Sequence, residues 1–154
     1  MLIKDVIDPF HVAVDPETPV PEVLELLLGA QHDSGAVVDS TGEFLGVIGV
    51  RDALRKIMPM HLYENPNLSN VVHEGYFEER FEKLYDYVAR DLMDPGVVTV
   101  HPDDTAIRAI ALIVENKRKT IPVLDNDRKM LGMVTRPSLI RKVMAAHATQ
   151  RSNK

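Results

Sequence analysis

Leu45-Gly46-Val47-Ile48-Gly49-Val50-Arg51-Asp52 returns later in the chain as Leu131-Gly132-Met133-Val134-Thr135-Arg136-Pro137-Ser138, and the two octets lie 86 positions apart. The same offset holds outward from them. It joins Asp5 to Asp91, Pro9 to Pro95, Pro16 to Pro102 and Asp39 to Asp125, together with the apolar pairs Val12/Val98, Leu26/Leu112 and Val37/Val123. Residues 5–58 are thus repeated at 91–144 without insertion or deletion. Turn positions and core positions that stay in register together mark a true internal repeat. Two units are too few for a solenoid, so the expected product is one composite module in which two halves bury against each other about a pseudo-twofold axis. On this reading residues 1–58 form the first repeat, 59–88 a connecting loop and amphipathic helix, 89–147 the second repeat, and 148–154 a flexible tail.

A chain of 154 residues with 45% hydrophobic content is long enough for one sizeable core. It contains no cysteine, which excludes disulfides, thiolate catalysis and thiolate metal sites. No apolar run approaches the roughly 20 residues of a membrane span, and Met1-Leu2-Ile3-Lys4-Asp5 lacks a signal-peptide core, so a cytoplasmic protein is expected. The net charge of −5 and the lack of basic blocks argue against a nucleic-acid surface, and no membrane partner is expected. His11, His32, His61, His73, His101 and His147 show no metal-ligand spacing. No glycine-rich phosphate loop follows a strand, and no catalytic triad stands out. An enzyme is not expected.

Each repeat reads as strand, helix, strand, strand, helix, an α/β (α+β) unit whose sheet is covered in part on both faces. The opening strands are expected at Val12–Val14 and Val97–Val100, each stopped by a proline (Pro16, Pro102). A helix from about Pro19 to Leu28 follows, with Gly29 as its stop, and Asp104 is the expected N-cap of its counterpart carrying Ile107, Ile110, Ile113 and Val114. Val23, Leu24, Leu26, Leu27 and Leu28 make the first helix apolar over more than one stripe, so it should touch its own sheet and a second element. Hairpins are expected at Ala36–Val38 with Phe44–Val50 and at Ile121–Leu124 with Met130–Thr135, with turns at 39–42 and 125–128. Short closing helices start near Asp52 and Pro137. Between the repeats, a loop over Tyr63-Glu64-Asn65-Pro66-Asn67 precedes Phe77, Phe81, Leu84, Tyr85, Val88 and Leu92, whose helical spacing predicts one amphipathic helix.

The segments Val98-Thr99-Val100-His101-Pro102-Asp103-Asp104-Thr105, Thr120-Ile121-Pro122-Val123-Leu124-Asp125 and Leu131-Gly132-Met133-Val134-Thr135 in the second repeat, with Ala36-Val37-Val38-Asp39 and Leu45-Gly46-Val47-Ile48-Gly49-Val50-Arg51-Asp52 in the first, carry a family likeness. In this order and duplicated, they resemble a CBS domain, and the tandem resembles a CBS pair, or Bateman module. That resemblance implies a ligand-sensing regulatory module, not a catalyst. Such pairs bind AMP, ADP, ATP or S-adenosylmethionine in clefts between the repeats, signal to a protein partner and pair into homodimers. The family's end motif runs glycine, two hydrophobic residues, threonine or serine, two variable residues and aspartate. Its aspartate accepts from the ribose hydroxyls and its hydroxyl residue helps hold phosphate. A carboxylate suits a vicinal diol, and a helix N-terminus favours anions.

This chain departs from the motif in complementary ways. The first repeat keeps Asp52 but has Gly49 at the hydroxyl position; the second keeps Thr135 but has Ser138 in place of the aspartate. The family's crossed arrangement implies a primary cleft of Gly49, Arg51, Asp52, Val98, Thr99, Lys119, Thr120, Ile121 and Pro122. A weaker second cleft would use Val12, Ala13, Ser34, Gly35, Ala36, Thr135, Arg136 and Ser138. Lys119 would draw a phosphate where Asp33 would repel one, which favours the Asp52 cleft. Structural readings stand beside these. Asp52 and Thr135 suit helix caps, and the basic run Lys117-Arg118-Lys119 suits a helix C-terminus. The alternative function is a ligand-free dimerisation scaffold, held through the apolar helices around Leu24–Leu28 and Ile107–Val114.

Overall fold

The computed structural model describes every residue except 66, 68–71 and 117, and gives no side-chain account of 61 and 63. Pro66 of the expected loop and Lys117 of the basic run therefore lie outside the described residues. The chain is a mixed α/β protein that divides into two compact units, and their boundary does not follow the repeats. The first unit comprises Met1–His11, Thr41–Phe44 and Gly96–Lys154; the second comprises Val12–Ser40 and Leu45–Pro95. Each repeat surrenders its opening arm to the unit built on the other.

In the first unit the arm is a single helical turn, α1 (Ile3–Val6), whose start is held by Asp5 Oδ2 accepting the Leu2 N–H at 2.8 Å. Its backbone is tied to repeat two: Ile3 N–H donates to the Asp104 carbonyl at 2.8 Å and Lys4 N–H to the Pro102 carbonyl at 3.0 Å. Farther along, Asp8 and Met133 exchange two hydrogen bonds, of 2.8 and 2.9 Å. Ile3 and Val6 are fully buried in a core with Val100, Ala109, Ile113, Ile121, Val123, Val134 and Leu139. At roughly 1.5–3 kcal/mol for each fully buried aliphatic side chain, the arm supplies a substantial share of that core.

The remaining elements of this unit are α7 (Ala106–Asn116), the antiparallel pair β4 (Thr120–Leu124) and β5 (Met130–Thr135), and α8 (Arg136–Ser152). The helices and strands between α1 and α7 lie almost wholly within Val12–Ser40 and Leu45–Pro95, the second unit. The expected Val97–Val100 strand reduces to one parallel bridge, Val100 with Val123, because Pro122 and Pro102 flank the only stretch that pairs. α7 starts at Ala106, not directly after Asp104, whose carboxylate instead accepts the His101 N–H at 2.9 Å. The tail expected from residue 148 is helical through Ser152, since nothing between Pro137 and Ser152 breaks a helix.

The second unit repeats the arm contacts at the same offset. α6 (Ala89–Leu92) is a single turn held by Asp91 Oδ2 accepting from Val88 N–H at 2.9 Å. Ala89 N–H donates to the Thr18 carbonyl and Arg90 N–H to the Pro16 carbonyl, while Asp94 and Val47 exchange two hydrogen bonds of 2.8 and 3.0 Å. The ion pair of Arg90 with Glu17 at 2.6 Å adds little, because both side chains are exposed. β1 (Ala13–Val14) runs parallel to β2 (Ser34–Val38), and β2 lies beside β3 (Phe44–Gly49). α2 (Val20–Gly29) follows β1, with Pro19 just before it and Pro21 in its first turn. The left-handed residue after it is Gln31, at φ 58°, so Gly29 is not the conformational stop that the sequence suggests.

α2 does touch two partners. Val23 and Leu27 pack on the sheet with Val14, Val37 and Ile48, and Leu24 packs against a separate cluster of Val20, Ala53, Ile57 and Leu84. Leu84 and Phe81 come from the connecting segment, and Ala53 and Ile57 from α3 (Val50–Ile57). The segment is not the single helix that its spacing predicts. It holds α4 (Met60–Glu64) where a loop was expected to open, then α5 (Tyr76–Glu82), a 3-10 turn over Lys83–Asp86, and extended backbone at Tyr87 and Val88 before α6. Burying Leu84 against α3 tightens the last turn, which leaves Phe77 and Tyr85 54% and 67% exposed.

Two glycines make the arm exchange sterically possible. A Cβ on Gly132 would sit 2.5 Å from the Asp8 carbonyl oxygen, and one on Gly46 would sit 2.7 Å from that of Asp94. Gly132→Ala and Gly46→Ala should each destabilise the chain by about 1–3 kcal/mol through overpacking. Gly29→Ala, which meets nothing within 4 Å, should be neutral or stabilise by up to about 1 kcal/mol. Chemical denaturation of the three variants checks this; a Gly132→Ala protein as stable as the parent would contradict the close approach.

Candidate functional site

The junction of β3 and α3 carries Asp52, the carboxylate of the candidate site. The chain turns from strand to helix at Gly49, and Asp52, in the first turn of α3, accepts the Gly49 N–H through Oδ2 at 2.8 Å. Its carboxylate is half-buried and sits at the positive end of the helix. One turn on, at three- and four-residue spacing, Arg55 and Lys56 share its side of α3. All three line a cavity of about 550 Å³ together with the incoming arm, including Asp91, Met93 and Asp94. Lys56 also sits over the Tyr87 ring, 4.6 Å from its centroid. The arrangement offers a carboxylate for a diol and two cations for an anion, against two further carboxylates.

Arg55, Lys56 and the arm residues that line this cavity are not among the site residues expected from the sequence. The signal present was the Asp52/Arg55/Lys56 spacing on one helix face. The arm's contribution had no local signal, because it depends on which repeat the arm joins.

Gly49 has a physical reason to lack the hydroxyl side chain. Its backbone is extended, but a Cβ there would lie 2.9 Å from the Asp33 carbonyl oxygen and 3.3 Å from Ser34 Cβ. The strand start is drawn in by Val50 N–H, which donates to that same Asp33 carbonyl at 2.9 Å. The structure thus brings Gly49, expected in one cleft, beside Ser34, expected in the other. Ser34, Gly35 and Ala36 lie on β2, and Ala13 pairs with Ala36, whose N–H donates to the Val12 carbonyl at 2.8 Å. Gly35 and Ala36 are buried, Val12 half-buried, and Ala13 and Arg51 exposed.

In the first unit, Thr120 stands opposite Thr135 across the β4–β5 pair. Val98 and Thr99 precede Val100, which donates to the Pro122 carbonyl at 3.0 Å; Val98 is exposed and Thr99 half-buried. Ile121 and Pro122 are buried, Ile121 with Val123 and Val134 in the core. Lys119 and Arg136 are exposed. Thr135 and Ser138 form a reciprocal cap on α8. Thr135 Oγ1 accepts the Ser138 N–H, while Ser138 Oγ accepts the Thr135 N–H and donates to the Thr135 carbonyl, all at 3.0 Å. Both hydroxyls are engaged in closing the helix, and Ser138 is only 4% exposed. Asp52 performs the same amide-capping service in α3, but with a carboxylate.

Among the described residues, no group of histidines and carboxylates has the arrangement of a metal site, and no helix is long and apolar enough to cross a membrane.

Comparison with known proteins agrees with this architecture. The CBS domain family matches twice, at residues 3–59 and 89–145. Protein MJ1426 of Methanocaldococcus jannaschii is 28% identical over 94% of this chain and 92% of its own length. The chloroplastic CBS domain-containing protein CBSX2 of Arabidopsis thaliana is 29% identical over 87% of this chain, which spans only 58% of that protein. A crystal structure of CBSX2 in complex with AMP superposes with a TM-score of 0.73 at 26% identity, covering 95% of this chain and 98% of that one. Two matched repeats that together cover most of the sequence make this chain a member of the CBS domain family.

Proposed function

We propose that the chain is a regulatory module that binds an adenosine-containing ligand at Asp52 and reports its presence to a partner protein. The observation that carries this reading is the half-buried Asp52 carboxylate opening, with Arg55 and Lys56, onto the 550 Å³ cavity. The carboxylate suits the ribose diol and the two cations suit a phosphate. AMP is the ligand of first choice, supported by the AMP complex of CBSX2. Asp91 and Asp94, which line the same cavity, disfavour the longer phosphate chains of ADP and ATP, since like charges in a shared cavity repel. S-adenosylmethionine, which carries no phosphate, is the second candidate. The Thr135/Ser138 position holds no carboxylate and spends its hydroxyls on the α8 cap, which supports a weaker or vestigial role there. A ligand then acts by binding two conformations of the module unequally.

The alternative, a ligand-free homodimerisation scaffold, draws on the exposure of Leu26 and Leu28 on α2 and of Ile107 and Val114 on α7. Ligand titration separates the two readings.

Thermal unfolding of the parent chain with AMP at about 100 times Kd should gain about 2.7 kcal/mol, or roughly 5–10 °C at this size. Asp52→Asn keeps an acceptor for the Gly49 amide, so its ligand-free midpoint should stay near the parent's while AMP affinity falls about 10- to 100-fold. No shift with AMP or S-adenosylmethionine, or an unchanged shift in Asp52→Asn, would refute the proposal. Gly49→Thr, which restores the family's hydroxyl, should lower the midpoint by about 1–3 kcal/mol in stability, because the Asp33 carbonyl occupies the required space; an undiminished midpoint would show that the strand yields there.

A further inference from the structure

Both sides of α3 are occupied. Asp52, Arg55 and Lys56 open onto the candidate cavity, whereas Ala53 and Ile57 are buried with Val20 and the fully buried Leu84. Three- and four-residue spacing puts the first set on one face of the helix and the second on another. The buried side is covered by the connecting segment, which brings Leu84 together with the half-buried Phe81 and Tyr87. The same segment closes the end of the helix. Arg80 Nε donates to the Ile57 carbonyl at 2.9 Å, where a cation complements the carbonyls of the last turn. One helix thus carries the ligand side chains and seats the connecting segment.

Lys56 belongs to both sides. It lines the cavity, and its ammonium lies over the Tyr87 ring at 4.6 Å from the centroid, within the range of a cation–π attraction. Tyr87 in turn ties several elements together. Its N–H donates to the Leu84 carbonyl at the end of the 3-10 turn, and its carbonyl accepts the Val20 N–H at the start of α2, at 3.0 Å. Beside it, Val88 N–H donates to Asp91, itself a residue of the cavity. The 86-residue offset matches Lys56 with Lys142 but Tyr87 with Met1, so the cation recurs in the second repeat without the aromatic ring.

We propose that Lys56 couples ligand occupancy to the connecting segment, a coupling that rests on Asp52 being an AMP site. Lys56 holds the Tyr87 ring in the empty module and turns to the phosphate of AMP in the occupied one. A phosphate oxygen beside the ammonium neutralises the charge that attracts the ring, so the two partners compete for one cation. That competition gives the two states of the segment unequal affinity for the ligand, the condition that any report of occupancy must meet. Release of the ring loosens the 3-10 turn at Lys83–Asp86, and the connecting segment becomes the surface that differs between the empty and the occupied module.

Amide hydrogen exchange of the full chain with and without saturating AMP tests this. Exchange across Lys83–Tyr87 should quicken about two- to fivefold with AMP, the factor that corresponds to one surface cation–π contact, while β2 and β3 exchange no faster. Linkage makes the effect reciprocal. Tyr87→Leu, which removes the competing ring and keeps an apolar side chain, should bind AMP about two- to fivefold more tightly in calorimetry and lose the AMP-dependent quickening. Tyr87→Phe, which keeps the ring, should match the parent in both measurements. Circular dichroism melting confirms that the variants stay folded. AMP that binds the parent without quickening exchange at Lys83–Tyr87 would overturn the coupling and leave the Asp52 site standing. So would a Tyr87→Leu chain that binds AMP no more tightly than the parent, or a Tyr87→Phe chain that behaves as Tyr87→Leu. A parent that does not bind AMP would remove both the site and the coupling.

Discussion

The exchange of two backbone hydrogen bonds between Asp8 and Met133, and of two more between Asp94 and Val47, is the constraint from which the rest of the structure follows. Each pair fixes an arm against a strand of the other repeat, and each needs a glycine, Gly132 or Gly46, where the arm's carbonyl presses on the strand. With the arm in place, α1 and α6 deliver Ile3, Val6 and Ala89 into cores that neither repeat completes alone. The second arm also forms one wall of the Asp52 cavity. Fold and candidate site therefore share a cause.

Much of this was legible in the sequence wherever the signal was local. The β5 boundaries, the first hairpin turn and the two-sided burial of α2 follow from alternation, turn residues and apolar density. Non-local features were not legible. α1 and α6 are four-residue turns, too short for periodicity, and only Asp5 and Asp91 at capping distance announce them. Phe77 to Leu92 has helical spacing, yet the chain tightens at Lys83–Asp86 because burial of Leu84 against α3 outweighs continued helix. The tail beyond 147 reads as polar, but nothing in it breaks the helix that Thr135 and Ser138 start. For the site, Asp52 was legible from its motif. Its neighbours Arg55 and Lys56 were visible only as helical spacing, and the arm wall only in three dimensions.

Symmetry in the chain is most informative where it fails. At the hairpin turns Gly42, at φ 85°, is matched by Arg128, at φ 61°, a strained choice of order 1 kcal/mol. Two contacts hold it: Arg128's carbonyl receives Phe44 N–H at 2.9 Å, and Asp125 caps the turn by accepting from Asp127 and Lys129. At the helix starts, Asp52 and Ser138 perform the same cap, and only the carboxylate leaves a charge at the cavity. At the helix ends, α3 gives way to Pro59 within two residues of Ile57, whereas α8 continues to Ser152. Two copies of one unit thus differ by a few substitutions that leave the backbone exchange untouched.

The arm exchange itself is tested most directly by amide hydrogen exchange on a chain lacking residues 1–10. The structure predicts that protection falls at Val123 and Val134, whose core loses Ile3 and Val6, while Val37 and Ile48 in the second unit keep theirs. Loss of protection at Val37 and Ile48 with Val123 and Val134 unchanged would contradict it, because each arm would then belong to its own repeat.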